Sequence, residues 1–171
     1  GLGGKTTHMA DLFLTKQNDS KAQVTAVEPE QYRFNKLLKN LSNSPFKSSI
    51  RCVNSTLEEF SSNSPPLFDR VLIDAPCSGT GVTGRHPDIR WNRQKEDIAN
   101  YANTQTTLLQ QAARLVKPEG VLVYATCSIE PEENFEVINS FLENTREFTL
   151  SDCSSFLPKQ AAPHIQKHCF A

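Results

Sequence analysis

Two cysteines, each shortly after a run of apolar residues, are the side chains of this sequence best suited to chemistry. Cys77 follows the apolar run 71–73, and Cys127 follows the apolar run 121–124. Short apolar runs of this kind predict buried strands, and ligands bind at the carboxyl edge of open α/β sheets. Two thiols at such an edge indicate nucleophilic catalysis, and the carboxylate of Asp74 lies three residues before the first of them.

Each of these signals also has a plainer interpretation. A single cysteine after a strand is more often a small buried residue than a nucleophile. Cys127, however, precedes a predicted helix that begins near Pro131, and a helix N-terminus lowers the pKa of a thiol. Asp74 alone would suit a simple turn, but Pro76 and two glycines follow it within seven residues, which favours a functional loop.

A glycine-rich turn opens the sequence, with Gly-Leu-Gly-Gly-Lys at residues 1–5. Glycines before a helix allow the backbone to approach a ligand closely, although a tight turn without a ligand is an alternative. Glu28 ends the first predicted strand, about twenty residues later, where an acid commonly binds the ribose hydroxyls of a nucleotide-like cofactor. A strand-end glutamate in solvent is an equally good interpretation of Glu28.

The same turn supports a competing hypothesis, a P-loop nucleotide hydrolase of the deviant Walker type. Gly4, Lys5 and Thr6 are similar to the end of a P-loop, and residues 71–74 are similar to a Walker B strand. The motif requires a further glycine five positions before Gly4, and that position lies outside the sequence. This alternative therefore stays open.

A third segment combines cations with the single tryptophan, in Arg-His-Pro-Asp-Ile-Arg-Trp at residues 85–91. Such residues suit phosphate contact and base stacking, with a solvated loop as the alternative. The formal net charge of the chain is −1, whereas a domain that holds RNA by itself is usually basic. We therefore expect a local patch or another domain to supply most of the binding.

The elements that must position these residues alternate between helix and strand. Helices are predicted over 7–16, 30–41, 94–116 and 131–144, the last with Glu132 and Glu133 placed favourably for the helix dipole. Strands are predicted over 24–27, 50–53, 70–74, 121–126 and 148–150, with a loop at 61–66, a long loop at 75–92 and a turn at 117–120. This order predicts an α/β fold with a doubly wound, mostly parallel sheet, in a single domain over 1–171.

Composition narrows the function classes. Five cysteines without a Cys-x-x-Cys pair, and four histidines without ligand spacing, argue against a disulfide framework and against a metal site, and indicate a reducing compartment. No apolar run approaches ~20 residues, so no membrane span is expected. Because the glycine turn has neither a strand nor an initiating methionine before it, we expect a fragment that lacks its first strand.

Four segments together resemble the RsmB/Sun family of RNA 5-methylcytosine methyltransferases, in particular its bacterial ribosomal RNA branch. They are residues 3–8, 74–81, 85–91 and 124–134, and the similarity extends from residue 1 to about residue 150. The resemblance implies a Rossmann-like catalytic domain without the family's amino-terminal RNA-binding region and first strand. It implies a cytoplasmic protein, or an organellar or nuclear one in a eukaryote, with ribosomal RNA as its partner.

The resemblance also implies roles for individual residues. Cys127 would add to C6 of the cytosine, Cys77 would release the product, and Asp74 would face both the base and the methyl donor, S-adenosylmethionine. The residues that the resemblance assigns to the cofactor, beside Asp74, are Gly1, Leu2, Gly3, Gly4, Lys5, Glu28 and Ser55, the last at a position where the family usually has aspartate. Those assigned to RNA are Arg85, His86 and Arg90. The alternatives are the P-loop nucleotide hydrolase and an inactive remnant that binds RNA or a partner.

Overall fold

The computed structural model describes residues 2–16 and 22–152, together with Ser154 and Gln160. The chain divides into two compact units. The first comprises residues 1–74 and 111–123, and the second comprises residues 75–110 and 124–171. A single domain over 1–171 stays a prediction.

A parallel strand pair with a crossover helix forms part of the first unit. Strands β1 (Val24–Val27) and β2 (Ile50–Val53) pair in parallel from Val24↔Ile50 to Val27↔Val53, which confirms both predicted strands. Helix α2 (Gln31–Leu41) connects them. Its leucines at positions 37 and 41 lie one turn apart and are buried, because a spacing of four residues keeps them on one helix face.

Two helices of the first unit differ from prediction. Helix α1 (Gly4–Asp11) begins three residues before its predicted start and continues as a π-helical turn over Leu12–Lys16. Helix α3 (Leu57–Ser62) is not predicted at all, although a capping box begins it. The Thr56 hydroxyl accepts a hydrogen bond from the Glu59 N–H, and the Glu59 carboxylate accepts one from the Thr56 N–H.

Strands β3 (Phe68–Asp74) and β4 (Val116–Ala125) form a second pair. The Phe68 N–H donates to the Leu115 carbonyl and the Ala75 N–H to the Ala125 carbonyl, so the partners advance in the same direction and the pair is parallel. The turn predicted over 117–120 is wrong, because β4 continues through it with Glu119 at a φ of 62°. Among the described residues the strands form two separate pairs, where one continuous sheet was predicted.

Three helices belong wholly or mainly to the second unit. They are α4 (Ile89–Asn92), α5 (Lys95–Ala113) and α6 (Phe135–Asn144), and single 3₁₀ turns lie at Thr80–Val82 and Pro131–Glu133. The long predicted loop 75–92 thus contains short helical turns. Helix α5 presents Gln105 and Leu109, one turn apart, to the interior, while Val137 and Phe141 are the buried residues of α6.

The strand predicted over 148–150 is wrong. These residues have no regular secondary structure, and the ring of Phe148 packs edge-on against that of Phe141 with 5.5 Å between centroids. Ring packing thus accounts for an apolar residue that the sequence pattern assigned to a strand. Within the described ranges, no helix is long and apolar enough to cross a membrane.

Candidate active site

The two cysteines predicted to do chemistry lie in contact. The Sγ atoms of Cys77 and Cys127 are 2.8 Å apart, and the backbone N–H of Cys127 points to the Cys77 Sγ at 3.3 Å. No disulfide joins them; Cys77 is half-buried and Cys127 is exposed. The chain therefore brings two thiols from positions 50 residues apart into one small site, with one of them open to solvent.

The loops that carry the thiols also contact one another. The Gly81 N–H donates to the Cys127 carbonyl at 3.0 Å, and the Ile129 N–H donates to the Thr80 hydroxyl at 3.2 Å. A Cβ atom at Gly81 would lie 2.8 Å from the Cys127 carbonyl oxygen. Glycine at position 81 thus permits an approach to the Cys127 backbone that any side chain would obstruct.

A fully buried carboxylate, that of Glu133, lies beneath these loops. Its Oε1 accepts hydrogen bonds from the Ser78 N–H at 2.8 Å and from the Gln105 side-chain amide at 3.0 Å. Its Oε2 accepts from the hydroxyl of Ser78 and from that of Ser128, the latter at 2.6 Å. Four donors thus compensate for the loss of water around this buried charge.

Tyr124 forms a hydrogen bond with the backbone of Glu133. Its hydroxyl donates to the Glu133 carbonyl at 2.8 Å. Burial raises the pKa of Tyr124 well above its usual value, and electrostatic interaction with the neighbouring Glu133 and Cys77 raises it further. The tyrosine therefore keeps its proton and serves as a hydrogen-bond donor.

Asn134 closes the loop that follows Cys127. Its side-chain amide donates to the carbonyls of Ser128 and Glu130, at 3.1 and 2.7 Å, and its Oδ1 accepts from the Thr126 hydroxyl at 2.9 Å. No local sequence pattern predicts a role for Asn134, and Glu133 is predicted only to suit the helix dipole. Both residues lie in the segment 124–134 that resembles the family, but the resemblance implies no role for either of them.

The cofactor residues predicted in the first unit fall into two groups. In one, the Lys5 ammonium lies 2.8 Å from the Asp74 carboxylate, and both side chains are about half exposed. Lys5 comes from the first turn of α1, and Asp74 is the last residue of β3. Gly3 precedes α1 with a φ of 98°, which favours glycine, Leu2 is exposed, and Gly1 lies outside the described residues.

The other group lies at the carboxyl ends of β1 and β2. Glu28 is buried; its carboxylate accepts from the Glu30 N–H at 3.2 Å, and its carbonyl accepts from the Asn54 amide at 2.8 Å. The next residue, Ser55, has a buried Oγ without a hydrogen-bond partner in the described part of the chain. An unsatisfied buried hydroxyl is rare, and it fits a ligand that bonds there.

The residues predicted to contact RNA lie on the surface of the second unit. Arg85, His86 and Arg90 are exposed, and Trp91 is exposed over 82% of its surface. Between these cations, Ile89 packs with its Cδ1 2.9 Å from where a Cβ of Gly79 would lie. The arrangement leaves cations and a large aromatic ring available to a ligand, and contact of these residues with RNA stays a prediction.

Comparison with known proteins identifies relatives over most of the chain. Residues 1–170 match the family described as 16S rRNA methyltransferase RsmB/F. The ribosomal RNA small subunit methyltransferase B of Klebsiella pneumoniae (strain 342) is 42% identical over 149 residues, which are 86% of this chain and 33% of the relative. The chain thus spans about a third of the length of the curated relatives it matches.

Solved structures give the same result. The structure of PH0851 superposes with a TM-score of 0.75 and 34% identity, over 83% of this chain and 31% of that one. NSun6 from Pyrococcus horikoshii, whose structure was determined with SFG, superposes with a TM-score of 0.68 and 26% identity, over 83% and 34%. These similarities confirm the predicted α/β, Rossmann-like methyltransferase fold.

Proposed function

The chain belongs to the RsmB/F family of 16S rRNA methyltransferases, and on this premise we propose that it transfers a methyl group from S-adenosylmethionine to C5 of a cytosine in ribosomal RNA. The observation that carries the proposal is the 2.8 Å contact between the Cys77 and Cys127 thiols. A second thiol beside a nucleophilic one suits a reaction in which a covalent bond must first form and then break.

The chemistry requires a nucleophile because C5 of cytosine is itself a poor one. Addition of the Cys127 thiolate to C6 forms an S–C6 bond and moves the electron pair of the C5–C6 double bond onto C5, which can then take the methyl group. Afterwards a base takes the proton from C5, the electron pair of that C–H bond restores the C5–C6 double bond, and the electron pair of the S–C6 bond returns to Cys127 as the bond breaks. We assign the addition to Cys127, which is the exposed thiol, and assistance of the release to Cys77.

Asp74 has a separate role in the proposal. Its carboxyl group, when protonated or when sharing a proton with the base, bonds N3 and stabilises charge on the ring during the addition. In the structure the ionised form of this group pairs with the Lys5 ammonium at 2.8 Å, between two side chains that are about half exposed. The base itself must leave its stack to reach these groups, at a cost of a few kcal/mol unless it is already unpaired.

The residues that we assign to the cofactor fit a nucleoside-like ligand. Glu28 directly follows β1 and Ser55 lies two residues after β2, and the Asn54 amide, which precedes Ser55, donates to the Glu28 carbonyl. An acid and a hydroxyl after two parallel strands suit ribose and adenine contacts. The relative NSun6 was crystallised with SFG, an analogue of S-adenosylmethionine. When bound, S-adenosylmethionine supplies the electrophilic methyl group, while the side chains named here hold it and orient the base.

The test is to locate the methyl group. The protein is incubated with S-adenosylmethionine carrying a labelled methyl group and with unmodified 16S rRNA, and the RNA is then digested to nucleosides. We expect the label in 5-methylcytidine. Label in another nucleoside, or hydrolysis of ATP without methyl transfer, would overturn the proposal, and RNA binding without transfer would favour the inactive remnant.

Replacement of Ser55 by alanine tests the cofactor site. The unpartnered Oγ makes no bond within the described protein, so its removal should leave the melting temperature of the ligand-free protein unchanged or slightly raised. Affinity for S-adenosylmethionine should fall roughly three- to tenfold, the loss expected for one hydrogen bond. Calorimetric titration measures the affinity of Ser55→Ala and of the unmodified protein, with Ser48→Ala, at an exposed position, as the control. Equal affinities of Ser55→Ala and the unmodified protein would show that Ser55 does not contact the cofactor.

A further inference from the structure

We infer that Glu133 is a positioning residue that holds the thiols of Cys77 and Cys127 in contact, an inference that rests on the proposed two-cysteine reaction. Ser78 directly follows Cys77, and Ser128 directly follows Cys127. The single carboxylate of Glu133 accepts hydrogen bonds from both serines. It therefore connects the two loops at the residues next to the two sulfurs.

On the Cys77 side the attachment involves both neighbours of the cysteine. Ser78 donates its N–H and its hydroxyl to Glu133. The side-chain amide of Gln105 donates to the same carboxylate at 3.0 Å and to the carbonyl of Pro76 at 2.8 Å. Ser78 is thus bonded to Glu133 directly, and Pro76 is linked to it through the buried Gln105.

On the Cys127 side the attachment runs through one hydroxyl. The Ser128 hydroxyl donates to Glu133 at 2.6 Å and accepts from the Glu130 N–H at 3.1 Å. The same hydroxyl lies 3.2 Å from those of Ser78 and Thr80, which belong to the Cys77 loop. The contacts of this loop with Ser78, with Thr80 and with the Glu133 carboxylate therefore meet at the one Ser128 hydroxyl.

The chemistry of the group supports a geometric role. The Glu133 carboxylate is bonded to one backbone N–H and three side-chain groups, and all four donate. The site therefore requires two acceptor oxygens, and an amide would place its NH₂ against donors. A buried charge is costly even when it is fully bonded, and an apolar residue of similar volume is often at least as stabilising. Stability alone therefore does not explain a carboxylate here, whereas alignment of the two thiols does.

The test compares Glu133→Gln with Glu132→Gln, the same change at the exposed neighbouring position. Oxidised glutathione is added well below the melting temperature of each variant. One thiolate attacks the glutathione disulfide and releases glutathione thiolate, and the second protein thiolate then displaces the remaining glutathione and closes a Cys77–Cys127 disulfide. Peptide mass spectrometry follows both the mixed disulfide and the closed one, so the closing step is measured by itself.

We expect Glu133→Gln to slow the closing step roughly tenfold or more, since bonds to a charged group are lost, and Glu132→Gln to leave it unchanged. In the methylation assay kcat should fall with the KM for RNA unaltered. A residue that merely stabilised the fold would leave the closing rate of folded molecules unchanged. An unchanged closing rate in Glu133→Gln overturns the inference.

A second variant covers the case in which Glu133→Gln does not fold. Ser128→Ala removes the hydroxyl link on the Cys127 side only, and it should slow closing by a smaller factor; an unchanged rate would again overturn the inference. The closing rate needs neither RNA nor S-adenosylmethionine. A slowed rate in a protein that fails to methylate RNA would thus support the placement of the thiols by Glu133 while refuting the proposed function.

Discussion

Replacement of Cys127 by alanine is expected to reduce methyl transfer to the level measured without enzyme and to leave no covalent protein–RNA complex. Without this thiolate no bond to C6 forms, so C5 never becomes nucleophilic. The Cys77 thiol, whose sulfur lies 2.8 Å from that of Cys127, does not replace Cys127 as the nucleophile, because it serves the release step. The assay is a denaturing gel of protein incubated with labelled RNA and S-adenosylmethionine, read together with methyl incorporation.

The corresponding change at Cys77 should fail differently. Cys77→Ala retains the nucleophile and forms the adduct but resolves it slowly, so protein–RNA complexes should accumulate on the same gel. Cys52→Ala is the matched control, because Cys52 lies in β2 and burial raises the pKa of its thiol above the ordinary value. It should behave as the unmodified protein does.

Two outcomes would contradict these roles. If Cys127→Ala traps RNA and Cys77→Ala does not, the nucleophile and the releasing group are exchanged. If neither change alters methylation, both thiols are structural and the covalent mechanism is wrong. Asp74→Ala should slow adduct formation both in the otherwise unmodified protein and in Cys77→Ala, since the ring loses its partner at N3.

Substitution of Gly81 by alanine should sharply reduce activity by displacing the nucleophile. The added Cβ would lie 2.8 Å from the Cys127 carbonyl oxygen and 3.2 Å from the Ile129 Cγ2. The first contact is with backbone, so the Cys127 loop must shift and the Gly81–Cys127 hydrogen bond must lengthen. We expect a destabilisation of about 1–3 kcal/mol, the usual cost of overpacking, and a larger loss in methyl transfer than this stability change explains.

Gly84→Ala is the matched control three residues along the same loop. A Cβ at Gly84 would meet nothing within 4 Å, and neither glycine has a positive φ. The control should fold with unchanged or slightly raised stability, since alanine restricts the unfolded chain. Urea denaturation and methylation assays measure both variants, and equal activities would show that the approach of Gly81 to Cys127 is unimportant.

Much of the architecture could be predicted because it depends on local pattern. The apolar runs at 24–27 and 50–53 and the leucine spacing of α2 are read directly from short windows. Helix α3 was also within reach, since Thr56 and Glu59 form a capping box three residues apart. The path of β4 through residues 117–120 could not be predicted. Pro118 and Gly120 indicate a turn as long as the pairing of β4 with β3 is unknown.

In the candidate site, too, only the residues with a local sequence signal could be predicted. Cys77, Cys127 and Asp74 stand out because each follows an apolar strand, but that local signal says nothing of the distance between the thiols. Glu133 offers no such signal, since Pro131 and two glutamates at a helix start have a sufficient local explanation. Its role depends on partners 28 and 55 residues away, which only the folded chain brings together.

The separation of these partners along the chain also has a consequence for how the protein is made. The contact between the two sulfurs closes a loop of 50 residues, and that between Ser78 and Glu133 closes one of 55. Closing long loops costs entropy before any contact compensates for it, so local helices form first and such contacts form late. We therefore expect the thiols to stay apart during synthesis until the chain has grown past residue 133, and their contact to form late in folding.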